Sequence, residues 1–205
     1  MKFKTEQEEF WSGNFGNEYA QRNSSDQLLA SNISLFSQIL SHTTGVNSVL
    51  EIGANIGMNL LALKKLLPDS KYTAIEINKS ACEVLSQQSW INVINNSALR
   101  VSDVQKHSFV LTKGVLIHIS PEELSSLYRT IYDSSSRYIC LIEYYNPNPV
   151  EIPYRGFSNK LFKRDFAGDM LDNFSDLKLV NYGFAYHRDN NFPQDDLNWF
   201  LMEKI

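Results

Sequence analysis

The 205-residue chain is 43% hydrophobic and 20% charged, a balance that supplies one domain with a full core and excludes a disordered polar chain. Its net charge of −4 and pI near 5.6 argue against general nucleic-acid binding, which calls for a basic surface. No apolar run approaches the about 20 residues that span a bilayer, so no membrane partner is expected.

The first nine residues are too charged for a secretory leader. Cys82 and Cys140 stand far apart with no CxxC or Cys/His spacing, and a reduced, cytoplasmic setting is expected. His42, His107, His118 and His187 are equally scattered, so no metal site is expected.

Residues 5–11 read as a short helix with Thr5 as cap and Glu8 closing a capping box. The next stretch, to Tyr19, is dense in aromatics (Phe10, Trp11, Phe15) and interrupted by Gly13 and Gly16. It reads either as a segment packing its rings on the domain or as a lid over a pocket. Leu28, Leu29, Ile33, Phe36, Ile39 and Leu40 recur with helical period over residues 23–41, and Gly45 ends that element. Residues 1–45 are therefore expected as an N-terminal helical lid segment, with 46–205 as the cofactor-binding domain.

The stretch from Val49 to Asn59 organises the rest. A short apolar run meets Glu51, then Gly53-Ala54-Asn55-Ile56-Gly57, then a helical sequence beginning at Met58. Strand, glycine-spaced turn and helix start form a nucleotide-type cradle. A second strand ends in Glu76, about 20 residues on, where a ribose-binding acid is expected. No Gly-Lys-Ser/Thr follows the turn, which excludes a phosphate-binding P-loop, and Asn55 occupies the place of a dinucleotide fingerprint's second glycine. An acid just before the turn suits a cofactor with a cationic amino-acid end, which points to S-adenosylmethionine (SAM).

Helix is predicted over 78–88, strands over 90–94, 107–112 and 138–143, and another helix opening at Ser120-Pro121 with Glu123 completing a capping box. Strands alternating with helices imply a mainly parallel sheet covered on both faces. Ligands bind beyond the carboxyl ends of such strands, where Glu51, Glu76, Ser97, Thr112 and Glu143 fall. A proline-stiffened loop runs from Tyr144 to Gly156, and a helix follows from Lys163 to about Asn173. Residues 177–186 and 197–203 read as an antiparallel edge pair.

Glu51 to Gly57, Glu76 and the segment Gly114-Val115-Leu116-Ile117-His118 resemble class I SAM-dependent methyltransferases. More narrowly, Phe10 to Tyr19, Glu143 to Pro147 with Tyr154-Arg155-Gly156, Leu161 to Ala167, and Asp195 to Leu201 resemble the pseudaminic acid biosynthesis-associated methylases. The resemblance implies a Rossmann-like, α/β, seven-stranded sheet, mostly parallel, with one antiparallel strand near the C-terminus and helices on both faces. It implies methyl transfer from SAM in bacterial surface-sugar metabolism, and the basic cluster of Arg155, Lys163 and Arg164 in an otherwise acidic chain points to a small anionic acceptor, such as a nonulosonic acid or its nucleotide-linked form. Cofactor contacts are implied at Glu51, Gly53, Asn55, Gly57, Glu76, Ile77, Ser97, Ala98, Lys113 and Gly114. Three positions depart from the wider pattern. Asn55 replaces a glycine, Ser108 stands where many relatives have aspartate, and Asn96-Ser97-Ala98 replaces an acid at the adenine position.

Transfer to a hydroxyl needs a base, and His118, after the fourth strand, is expected to serve, with Tyr144 beside it. Trp11, Tyr19, Tyr145 and Tyr154 are expected to contact the acceptor, and Arg155, Lys163 and Arg164 to capture its carboxylate or phosphate. His187, Arg188 and Asp189 read mainly as a charged hairpin. The same cradle also serves SAM enzymes that transfer no methyl and non-catalytic SAM-binding proteins; an NAD oxidoreductase is a weaker alternative.

Overall fold

The computed structural model describes residues 3–22, 24–101 and 104–205. The predicted helix at 23–41 and the segment 1–45 each include residues outside that set. Three helices open the chain: α1 (Glu6–Ser12), α2 (Asn14–Arg22) and α3 (Asp26–Leu40). The predicted capping box forms, because the Thr5 hydroxyl accepts from the Glu8 N–H while the Glu8 carboxylate accepts from the Thr5 N–H.

Five parallel strands follow: β1 (Ser48–Ile52), β2 (Lys71–Glu76), β3 (Ile91–Asn95), β4 (His107–Lys113) and β5 (Ser135–Glu143). Helices α4 (Met58–Leu66), α5 (Lys79–Leu85) and α6 (Leu124–Ser134) connect them. A two-strand ribbon, β6 (Val150–Glu151) with β7 (Phe162–Lys163), interrupts the proline loop. Helix α7 (Phe166–Asn173) then leads to β8 (Leu177–Ala185) and β9 (Leu197–Lys204). The sheet order is β3-β2-β1-β4-β5-β9-β8, with β9 antiparallel to both neighbours. The expected edge pair thus has one edge member only. β9 inserts between β5 and β8, because its inward side chains Leu197, Trp199 and Leu201 are the more apolar set.

Period-2 alternation divides the core between two faces. Val49, Phe109, Leu111 and Cys140 pack with Leu35, Phe36, Ile39 and Leu63 from α3 and α4. Leu50, Val110, Ile139 and Leu141 pack with Leu127, Ile131, Phe166 and Met170 from α6 and α7. Near-continuous apolar strands belong to a sheet covered on both sides.

One local expectation changes. The box at Ser120–Glu123 is absent: Pro121–Glu123 form a 3-10 turn without a side-chain cap, and Glu123 pairs with Lys4. Ser108, one of the departures from the wider pattern, has its own structural place. Its Oγ accepts from the Asn47 and Ser48 amides at 3.0 Å each and donates to the Ser48 carbonyl at 3.0 Å. It thereby ties the starts of β1 and β4 beside a register shift in β4. Cys82 and Cys140 are buried and free. No helix among the described residues is long and apolar enough to cross a membrane.

Candidate active site

At the carboxyl ends of β1, β2 and β4 a cavity of about 770 Å³ opens, within the size range of small-molecule sites. The glycine turn forms its floor. Gly53, Asn55 and Gly57 all have positive φ (74°, 49° and 86°), and asparagine is the residue besides glycine that best tolerates this region. A Cβ on Gly53 would lie 2.4 Å from a methyl of Val115, so the turn and the segment after β4 fit together only without one.

Glu76 closes β2. Its Oε2 accepts the Asn55 amide at 2.7 Å and its Oε1 the Asn78 amide at 2.7 Å. Each carboxylate oxygen keeps a further lone pair, so the group positions the turn and can still receive hydroxyls from the cavity. Burial raises its pKa against those amide bonds. Ile77, Ser97 and Ala98 continue the wall on one side, Lys113 and Gly114 on the other.

Glu51 differs from expectation. It is fully buried and lies beneath the cavity wall, with Oε1 accepting from Asn59 Nδ2 at 2.6 Å and Oε2 without a partner among the described residues. Burial pushes its pKa up to about 8. Its place in β1 turns it toward the α4 side, so it is Asn59, not Glu51, that reaches the cavity. Gly57 also serves the turn from outside the wall.

A further wall comes from α1, α2, the turn after β4 and the proline loop. Trp11 packs against His118 (ring centroids 4.6 Å apart), Tyr19 (5.3 Å) and Phe15 (5.4 Å), and Tyr154 lies 4.9 Å from His118. Asn78 fixes these helices to the cradle by donating to the Trp11 carbonyl (3.2 Å) and to Asn17 (2.8 Å). Gly16 is required for this contact, since a Cβ there would sit 1.9 Å from the Trp11 carbonyl oxygen.

His118 follows β4 in a 3-10 turn (Leu116–His118). That turn hangs on Glu143, whose carboxylate accepts the amides of Val115, Leu116 and Ile117. Burial raises Glu143 to about 7 against those three amides. The His118 Nδ1 bonds the Lys160 carbonyl, so Nδ1 carries the proton and Nε2 keeps a free lone pair. Burial pushes the imidazole down to about 4, making it neutral but a weak base. Tyr144 lines the cavity with the Asp195 carboxylate near, and burial followed by that charge raises its hydroxyl well above the usual range. Tyr19 is likewise raised, to about 12. Neither phenol is ionised near neutrality.

Arg155 reaches the cavity from a tight turn in which it takes a left-handed φ of 49°. The structure does not bring Tyr145, Lys163 or Arg164 there. Tyr145 packs on Phe200, Lys163 lies over the Tyr144 ring, and Arg164 pairs with Asp169 at 2.7 Å. Other residues take their place: Arg22 from α2, Asn32 from α3, and Gln194 and Asp195 before β9. Asn32 left a trace, a polar residue inside the apolar stripe of α3, and Asp195 opens a segment that carries the resemblance; Arg22 and Gln194 left none. His187 also reaches the mouth, paired with Asp196 at 2.8 Å, while Asp189 accepts the Asn191 and Phe192 amides and shapes the hairpin. No group of three or more His, Cys, Asp or Glu among the described residues could hold a metal ion.

No protein-family model matches the sequence, and no curated protein does. Solved structures match over the whole chain. The magnesium protoporphyrin IX methyltransferase of Synechocystis PCC 6803 with bound SAM gives a TM-score of 0.69 at 11% identity, covering 100% of both chains. The plantazolicin methyltransferase in complex with SAH gives 0.66 at 13% identity, covering 97% of this chain and 93% of the other. A SAM-dependent methyltransferase from Clostridium acetobutylicum ATCC 824 gives 0.65 at 9% identity over 93% and 99%. At these identities the likeness shows the fold alone, a Rossmann-like seven-stranded sheet with one reversed strand, similar to those solved methyltransferases.

Proposed function

We propose that this chain is a SAM-dependent methyltransferase acting on a small anionic acceptor. The observation that carries the reading is one continuous wall at the strand ends, in which Gly53, Asn55, Glu76, Ile77, Ser97 and Ala98 stand together. The residues suit the cofactor: Glu76 has lone pairs left for ribose hydroxyls, and Ile77 and Ala98 are apolar flanks for a base. The methyltransferases of like architecture with bound SAM or SAH add support. SAM, when bound, supplies an electrophilic methyl on a sulfonium with a good leaving group.

The chain's task is then mainly positioning, and holding two reactants in line is worth about 7–11 kcal/mol of barrier. Residues 3–22 form the lid over this site, since their rings close it and Asn78 latches them. His118 Nε2 is the acceptor-facing base. Its low pKa suits an acceptor already partly acidic, or one whose proton departs only as the bond forms. Tyr144 contributes a hydroxyl donor, and Trp11, Tyr19 and Tyr154 the ring surfaces.

Arg22 and Arg155 support an anionic acceptor, because two guanidinium groups reach one cavity in an otherwise acidic chain. A nonulosonic acid, free or nucleotide-linked, has the matching charge and hydroxyls. Incubation with methyl-labelled SAM and a panel of such acids, read by mass spectrometry, tests both halves. SAH released with a methylated product supports the reading. Methylthioadenosine release would indicate transfer of another part of SAM. The absence of any thermal shift with SAH would remove the cofactor reading itself.

A further inference from the structure

Lys113, at the end of β4, carries an ammonium with two of its three donors spent. Nζ donates to Asn32 Oδ1 at 2.8 Å and to Gln194 Oε1 at 2.9 Å. Gln194 Nε2 in turn donates to Asn32 Oδ1 at 2.9 Å, closing a ring of three side chains from α3, β4 and the segment before β9. Among the described residues Lys113 forms no ion pair within 4.0 Å; Glu51 and Asp195 act on it only from farther away. Asn32 is 1% exposed, and its Nδ2 has no acceptor among the described residues.

Two unmet donors therefore belong to adjoining groups at the cavity: the third N–H of an ammonium and an amide N–H. A half-buried ammonium facing the cavity with a donor to spare invites an anionic partner, and a buried amide donor without a partner is costly. A carboxylate answers both, since it has two oxygens, a negative charge and no donor of its own.

The sheet register identifies which end of a ligand meets the ring. Ile52 pairs with Thr112, so Lys113 lies level with Gly53, the first residue of the cofactor turn. Arg155, the cation expected for the acceptor, enters the same cavity from the loop after β5.

We propose that the Lys113–Asn32–Gln194 ring is the receptor for the carboxylate at the amino-acid end of the cofactor, an inference that rests on the cofactor reading above. Lys113 supplies the charge, Asn32 the second donor, and Gln194 holds the ammonium in place. Because Gln194 precedes Asp195, the same ring ties cofactor contact to the segment that faces Tyr144.

The test compares SAH with S-adenosyl-3-thiopropylamine, the same molecule lacking only the carboxylate, by isothermal titration calorimetry. Charge-assisted bonds of this kind predict that the wild-type protein binds SAH about 10- to 100-fold more tightly than the amine. Lys113→Met should erase that preference by weakening SAH while leaving the amine within about threefold. Equal wild-type affinity for the two ligands would overturn the proposal and leave the cofactor reading standing. So would a Lys113→Met variant that loses both ligands alike. Failure of the wild type to bind either would remove the cofactor reading as well. The wild-type comparison needs no variant to fold.

Discussion

His118 offers a sharp test, because its burial sets both the pH dependence of folding and its strength as a base. In the fold the imidazole is neutral, donates Nδ1–H to the Lys160 carbonyl, and is held down to about 4 by burial. In the unfolded chain it titrates near its ordinary 6.5. The unfolded state therefore takes up a proton first as the pH falls. The stabilisation of the neutral ring is complete above pH 6.5 and is lost progressively as the pH drops toward 4. A separation of about 2.5 in pKa corresponds to about 3 kcal/mol in full, of which about 2 kcal/mol is gone by pH 5. Glu51 and Glu143 act with the opposite sign. Burial raises them to about 8 and about 7, so their contribution is present at low pH and fades as the pH rises. They are common to wild type and variant and cancel in the difference. His118→Asn keeps an amide N–H near the Nδ1 position and does not titrate. Urea denaturation of both proteins at pH 7 and pH 5 should show the wild type losing about 2 kcal/mol more than the variant. Identical losses, or an NMR titration placing His118 near 6.5, would refute the reasoning. The same low value predicts no inflection from this group in kcat/KM between pH 5.5 and 8.

Gly16→Ala places a Cβ 1.9 Å from the Trp11 carbonyl oxygen and 2.8 Å from Asn78 Nδ2, so α1 and α2 must leave the cradle. Amide hydrogen exchange should rise over residues 6–22 while the sheet stays protected; unchanged exchange there would contradict the packing. Gly53→Ala combines a positive φ, costing about 1–2 kcal/mol, with a 2.4 Å clash against Val115, and SAH affinity by calorimetry should fall at least about tenfold with the sheet intact. Adding Val115→Ala should recover part of that loss. Ser108→Ala removes the hydrogen bonds that its Oγ makes with Asn47 and Ser48 and should cost about 1–3 kcal/mol in urea unfolding; a neutral result would mean that water replaces the hydroxyl. Arg155→Ala should weaken acceptor binding while leaving SAH affinity within about twofold, and unchanged acceptor KM would count against the anionic acceptor.

The sequence by itself determined the parts governed by local rules. Apolar runs bounded by turn residues specified the buried strands, and the Thr5–Glu8 spacing specified a cap that the backbone then formed. The spacing of Gly53, Asn55 and Gly57 required a left-handed turn, because only glycine and asparagine enter that region cheaply. Glu76, one strand later, was legible for the same reason: its place follows from strand length and turn chemistry. Only the tertiary structure decided which charges face the cavity. Whether Arg164 or Arg22 reaches it depends on the path of distant segments, and Asp169 claims one while α2 delivers the other. Asn59 reaches the cavity in place of Glu51 because alternation along β1 turns the acid into the packed layer under α4. Gln194 meets Lys113 across 81 residues because β9 inserts between β5 and β8. Contacts made by chain crossing leave no period in the sequence, since nothing local to either residue records the other.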